Sequence, residues 1–118
     1  MSKTRLMLAV LLSVVSMTSL AHTRLVESLP ADGAVLEGSP GSVALKFSAA
    51  VRIVRLRLVD GSGSAIEPIG PDSRGPASDF KIALPALPSG DYVLDWSVMG
   101  QDTHKVSGLL RFTLRAEP

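Results

Sequence analysis

Apolar residues recur at every second position through much of the chain after residue 43. Val43, Leu45 and Phe47 alternate with Ala44 and Lys46. Val54, Leu56 and Leu58 fall on one side of an extended segment, with Arg55 and Arg57 on the other. Tyr92, Leu94, Trp96 and Val98 oppose Asp95 and Ser97, and Leu110, Phe112 and Leu114 oppose Arg111, Thr113 and Arg115. A period of two means strands with one buried and one wet face. Turn-forming clusters separate them: Pro30 to Gly33, Gly38 to Gly41, Asp60 to Gly63, Gly70 to Pro76 and Pro85 to Gly90. The pattern predicts strands over 23–28, 43–48, 52–60, 64–68, 79–84, 91–99 and 106–115, with 69–78 as the longest loop. No clean helical period occurs after His22. About seven short antiparallel strands predict an all-β, immunoglobulin-like Greek-key β-sandwich or barrel. Tyr92 is placed to make a corner hydrogen bond, and Trp96 is expected in the core.

The start of the chain reads differently. Lys3 and Arg5 precede an apolar run from Leu6 to Val15, broken only by Ser13, and Ser19-Leu20-Ala21 follows with small residues at both ends. This is the layout of a secretory signal peptide over residues 1–21, cleaved after Ala21. The run is shorter than the ~20 residues a spanning helix needs. The mature domain is then residues 22–118, 97 residues beginning at His22 and bound for an exported, periplasmic location. Loss of Lys3 and Arg5 leaves ten basic residues against eleven acidic ones, a formal charge of −1. No basic run suits nucleic acid, and aromatic residues for base stacking are few. A domain of this size buries roughly 60–65% of its unfolded surface, enough for one core without staples. There is no cysteine, so neither disulfides nor thiolate metal ligands are available.

The chemistry-bearing residues are few. The mature chain has two histidines, His22 at its predicted start and His104 within Gly100-Gln-Asp102-Thr-His104-Lys-Val-Ser-Gly108. Asp102 and His104, two apart, share a face if the backbone is extended there. Their side chains either make an ordinary loop hydrogen bond or act as ligands for a divalent transition metal. An N-terminal His22 offers its α-amine and imidazole together. With Asp102 and His104 it would complete a set of three nitrogens and one oxygen, which suits tetragonal Cu(II) better than tetrahedral zinc. Met99 is the only methionine after residue 21; it reads as structural or exposed and makes a poor Cu(I) site alone. With both histidines assigned, no Ser-His-Asp set remains. Gly61-Ser-Gly63 is a turn with no helix behind it, and Arg52, Arg55 and Arg57 read as solvated charges guarding a strand edge.

Four blocks in order resemble the CopC family of periplasmic copper-resistance proteins across residues 22–115. They are His22-Thr-Arg-Leu-Val-Glu-Ser-Leu-Pro30-Ala-Asp-Gly33, Val43-Ala-Leu-Lys-Phe47-Ser48, Gly90-Asp-Tyr92-Val-Leu-Asp-Trp96, and Asp102-Thr-His104 followed by Gly108. The resemblance implies an immunoglobulin-like β-sandwich or barrel. It also implies one Cu(II) ion held by His22, Asp102 and His104, a role in copper homeostasis, and a CopD-like inner-membrane protein as partner. Two departures stand out. Lys105 occupies a position where members usually have proline, and Ala49 and Ala50 follow Ser48 where an acidic residue is common. Loss of an outer carboxylate typically lowers metal affinity 10–100-fold.

The leading expectation is a copper-binding protein and not an enzyme. An N-terminal histidine with a second histidine also resembles the brace of copper polysaccharide monooxygenases. Asp102 would then fill a position oxygen chemistry needs open. A metal-free immunoglobulin-like interaction module is the third class.

Overall fold

The computed structural model describes residues 23–72 and 75–115. His22 and the expected signal segment with its cleavage point lie outside the described residues. In chain order the strands are β1 (Leu25–Leu29), β2 (Ala34–Glu37), β3 (Ser42–Asp60), β4 (Ala65–Ile66), β5 (Gly70–Pro71), β6 (Ala77–Ala83), β7 (Gly90–Gly100) and β8 (Lys105–Arg115). The fold is all-β, as expected, with two of the eight strands only two residues long.

β3 organises the two layers. Its first half pairs antiparallel with β1 on one side and β6 on the other. Its second half pairs with β7, and near its end with β4. The two segments expected at 43–48 and 52–60 are therefore one 19-residue strand that passes from one layer to the other. The first layer runs β1-β3-β6-β5. The second runs β2-β8-β7-β3, with β2 lying parallel to β8.

The alternation seen in sequence builds the interior. Val43, Leu45 and Phe47 from β3 meet Phe80 and Ile82 from β6, and Tyr92, Leu94, Trp96, Val98, Leu110, Phe112 and Leu114 close the core from the other layer. Phe47 links the layers. Its ring meets Trp96 edge-on at 5.3 Å and Phe80 at 6.2 Å, contacts worth about 0.5–1.5 kcal/mol each beyond the area they bury. Tyr92 donates its hydroxyl to the Pro88 carbonyl at 2.6 Å, the expected corner bond. Burial and the Asp60 charge push its phenol above the ordinary value.

One face assignment is corrected. Val54 was expected beside Leu56 and Leu58, but it is 49% exposed. The register against β7 shifts between Ile53 and Arg55, where two steps on β3 face one step on β7. This bulge reverses parity, so Val51 and Ile53 point inward before it and Leu56 and Leu58 after it.

Gly108 is demanded by the core. A Cβ there would lie 2.8 Å from Trp96 Cε2 and closer still to Cζ2. Trp96 sits directly across from it, on β7, and its Nε1 is buried without a hydrogen-bond partner. Gly108→Ala should therefore lower stability by about 1–3 kcal/mol, the usual cost of overpacking. Urea unfolding measures it, and Trp96→Phe should recover part of the loss. Additive losses in the double variant would show that the clash is elsewhere.

Candidate metal centre

The hairpin joining β7 to β8 carries two of the three expected ligands, Asp102 and His104. Gly100 N–H donates to the His104 carbonyl at 3.1 Å, and Thr103 N–H donates to the Gly100 carbonyl at 3.0 Å. Between them lie three residues, Gln101, Asp102 and Thr103, the last at φ 66°. A three-residue hairpin loop commonly ends with one residue in this left-handed region. Glycine or asparagine fits there, and a β-branched threonine is strained by about 1–2 kcal/mol. Thr103→Gly should raise the unfolding free energy by about 0.5–1 kcal/mol, strain relief being partly offset by the entropy of a freer unfolded chain. Chemical denaturation checks it, and a loss of stability would mean the hydroxyl matters more than the backbone.

Asp102 and His104 are brought together by this turn and not by extended backbone, which corrects the geometry expected from their spacing. The Asp102 carboxylate accepts the His104 backbone N–H at Oδ1, 3.1 Å away, and faces His104 Nδ1 from Oδ2 at 3.0 Å. The backbone bond, first, and the His104 side chain hold the Asp102 carboxyl below its ordinary value. Both side chains are open to solvent, 78% exposed for His104 and 62% for Asp102. With Nδ1 turned to the carboxylate, Nε2 is the imidazole nitrogen that points away from the protein's own partners. A carboxylate fixing one ring nitrogen orients the other as a metal ligand.

The start of the described chain is tied to the same place. Ser48 holds Arg24 twice, its N–H donating to the Arg24 carbonyl at 2.9 Å and its Oγ accepting from Arg24 N–H at 3.0 Å. Thr23 is thereby laid beside the hairpin, and a Cβ on Gly100 would lie 3.2 Å from Thr23 Oγ1 and 3.0 Å from Asp102 Oδ1. Thr23, Ala49, Ala50, Gln101 and Asp102 line one shallow depression. Ala49 and Ala50, which follow Ser48, thus stand at this site.

Among the described residues no group of three or more His, Cys, Asp or Glu side chains comes together. The structure assembles two of the three expected ligand residues, Asp102 and His104. His22, the third, lies outside the described residues and is covalently joined to Thr23. Met99 is half-buried one residue before the turn, paired with Lys105 and Arg52 across the strands. Sequence reasoning did not find Thr23 and Ser48 as positioning residues. Ser48 was legible only as part of the Phe47-Ser48 block.

A two-layer β fold with a carboxylate–imidazole pair on one end loop, and Thr23 laid beside the same loop, defines a small β-sandwich that presents two candidate metal ligands. The CopC domain model matches residues 25–115, and the chain belongs to the CopC family of copper resistance proteins. It is 30% identical over 112 residues to "Copper resistance protein C" of Xanthomonas campestris pv. juglandis, covering 87% of each chain. It is 29% identical to the protein of that name from Pseudomonas syringae pv. tomato, over 86% of this chain and 87% of that one. Among solved structures, CopC from Methylosinus trichosporium OB3b superposes with a TM-score of 0.70 at 25% identity, over 82% of this chain and 97% of that one. PcoC of Escherichia coli, described as a methionine-rich copper resistance protein, superposes with a TM-score of 0.62 at 28% identity, over 80% and 100%. Among the described residues no helix is long and apolar enough to cross a membrane.

Proposed function

We propose that the mature chain is a periplasmic carrier whose cargo is one Cu(II) ion, held through the α-amine and imidazole of His22, the carboxylate of Asp102 and the imidazole of His104. One observation carries this reading. Thr23, which follows His22 directly, shares a depression with Asp102, and neighbouring Cα atoms are only ~3.8 Å apart. An N-terminus at His22 would thus begin one residue from the depression that Asp102 lines. Three nitrogens and one oxygen form a set suited to Cu(II), with no thiolate to favour Cu(I). Asp102 keeps lone pairs beyond the two it gives to His104, since an ionised carboxylate has about four acceptor sites. Exposure of the loop suits a protein that must receive and surrender an ion, and a CopD-like inner-membrane protein is the matching recipient.

The test is titration of Cu(II) into the mature protein, followed by EPR and by the fluorescence of the single tryptophan, Trp96. Saturation at one equivalent with a tetragonal nitrogen-and-oxygen spectrum is expected. Tight capture of Cu(I) with no defined Cu(II) spectrum would overturn the reading.

A further inference from the structure

Arg52, Arg55 and Arg57 stand on the outer side of β3, where that strand borders its layer, and edge protection explains charges in such a place. It does not explain Arg111 on β8, whose carbonyl accepts the Gly33 N–H and whose N–H donates to Asp32 Oδ1, next to the span Phe112–Arg115 that β2 covers. Lys105 stands at the other end of β8, on the stretch that β2 does not cover. The register joins the two sets into one surface. Arg52 pairs with Met99 and Met99 with Lys105, while Arg57 pairs with Asp95 and Asp95 with Leu109. All five cations are exposed on the side away from the core. Among the described residues the only carboxylate between them is Asp95, which bonds Arg55 at 2.9 Å. Asp91 and Asp32 lie at the margins, on Thr113 and on the Arg111 backbone. Among the described residues no carboxylate pairs with Arg52, Arg57, Lys105 or Arg111.

The opposite outer face is balanced, with Glu27, Lys46 and Asp79 in one row. The chain after residue 21 carries a formal charge of −1, so this positive face is a local concentration against the sign of the whole. The sequence shows no basic run because these cations are scattered along it, and the sheet gathers them. Between them lie exposed Ser107, whose hydroxyl meets that of the buried Ser97 at 2.7 Å, and the half-exposed aliphatic side chains of Val54 and Leu109. All five aromatic residues are in the core, leaving none to anchor in a bilayer interface or to stack on bases. A polar, cationic surface with modest aliphatic contact suits a protein segment of opposite charge.

We propose that the outer face of β3, β7 and β8 docks an Asp/Glu-rich segment of a partner protein. The face runs up to the hairpin of Asp102 and His104 through Lys105, so a docked partner would lie beside the copper ligands. In that role the inference rests on the copper reading, whereas docking itself can be measured without copper.

The experiment uses the mature protein, copper-free and copper-loaded. Its probes are a soluble Asp/Glu-rich peptide with interspersed leucines and vesicles of phosphatidylglycerol. Backbone NMR shifts on adding the peptide should map to β7, β8 and the second half of β3. Raising salt should weaken binding, since the screening length falls from about 30 Å at 0.01 M to about 8 Å at 0.15 M. The double reversal Arg57→Glu/Arg111→Glu should cost about tenfold or more in peptide affinity and leave copper stoichiometry unchanged. The reversal Lys46→Glu/Lys81→Glu on the other face should cost about twofold or less. Equal losses from both reversals, shifts elsewhere, or no binding at low salt would overturn the proposal while copper binding stands. Vesicle binding tighter than peptide binding would also overturn it and assign the face to a membrane. Peptide binding without copper binding would sustain the docking face and sink the copper reading alone.

Discussion

A variant with one extra residue ahead of His22 should bind Cu(II) more weakly than the mature chain by about a hundredfold or more. The α-amine that the copper reading requires exists at His22 only when cleavage falls after Ala21. An extra residue turns that amine into a peptide nitrogen, whose lone pair is delocalised into the carbonyl and which ligates only by giving up its proton, and moves the new terminus away from the imidazole. Loss of a partner that merely supports a ligand typically costs 10–100-fold, and loss of a ligating nitrogen with its chelate ring costs more. The rest of the site should be untouched. Ser48 fixes the Arg24 backbone through its own N–H and hydroxyl, and the Asp102–His104 hairpin closes on itself, so neither depends on what precedes Thr23. Competition titrations against a Cu(II) chelator at neutral pH compare the two forms, and unfolding curves should superpose. Equal affinities would remove His22 from the ligand set.

The fold was largely legible because most of its core faces are plain alternations. Tyr92 to Val98 and Leu110 to Leu114 show in sequence the faces that the structure buries. The alternation rule failed where parity changes. At Val54 one extra residue reverses the inward side, and nothing in Arg52-Ile-Val-Arg55 marks it, since Ile53 and Val54 are good strand formers and no glycine or proline interrupts them. Ser48-Ala49-Ala50 hid the continuity of β3, because a strand crossing between layers there carries no large apolar residue. β2 and β5 were missed for opposite reasons. Ala34 to Glu37 is short and pairs parallel with a distant strand, and Gly70-Pro71 has turn composition although it pairs with β6.

The site was legible in its members more than in its geometry. Asp102 and His104 were found by spacing, yet the backbone that joins them is a turn with Thr103 at positive φ, a conformation threonine does not announce. The cationic face was invisible because it is a property of register. Arg57 and Arg111 are far apart in sequence, and only the pairing of β3 with β7 and β7 with β8 sets them on one surface.

Copper should leave the mature protein as pH falls from neutral towards 5, and the steepness of release should report which residues hold it. Imidazole and α-amine nitrogens must give up their protons to bind a metal, so binding releases protons and weakens as they become more available. As chemical types these groups take up protons between neutral and mildly acid pH. Asp102 behaves otherwise. The hydrogen bond from the His104 backbone N–H, and then the His104 side chain, hold its carboxyl below the ordinary value. For a depressed carboxyl the stabilising contribution is present above its unfolded value and lost only as pH falls through the folded one. Asp102 therefore stays ionised across the whole release range and adds no proton to the step. Two variants separate the roles. His104→Ala should weaken Cu(II) binding by about a hundredfold or more and lower the slope of log affinity against pH by about one proton. Asp102→Asn should cost about tenfold with the slope unchanged, because an amide oxygen can still accept the His104 backbone N–H but brings no charge to the metal. EPR and visible spectra recorded across the pH range measure both quantities. If His104→Ala leaves spectrum and slope as they were, His104 is not a ligand and the site is misplaced. If Asp102→Asn changes the slope, the carboxylate acts through the protonation of its histidine neighbour and not as a ligand.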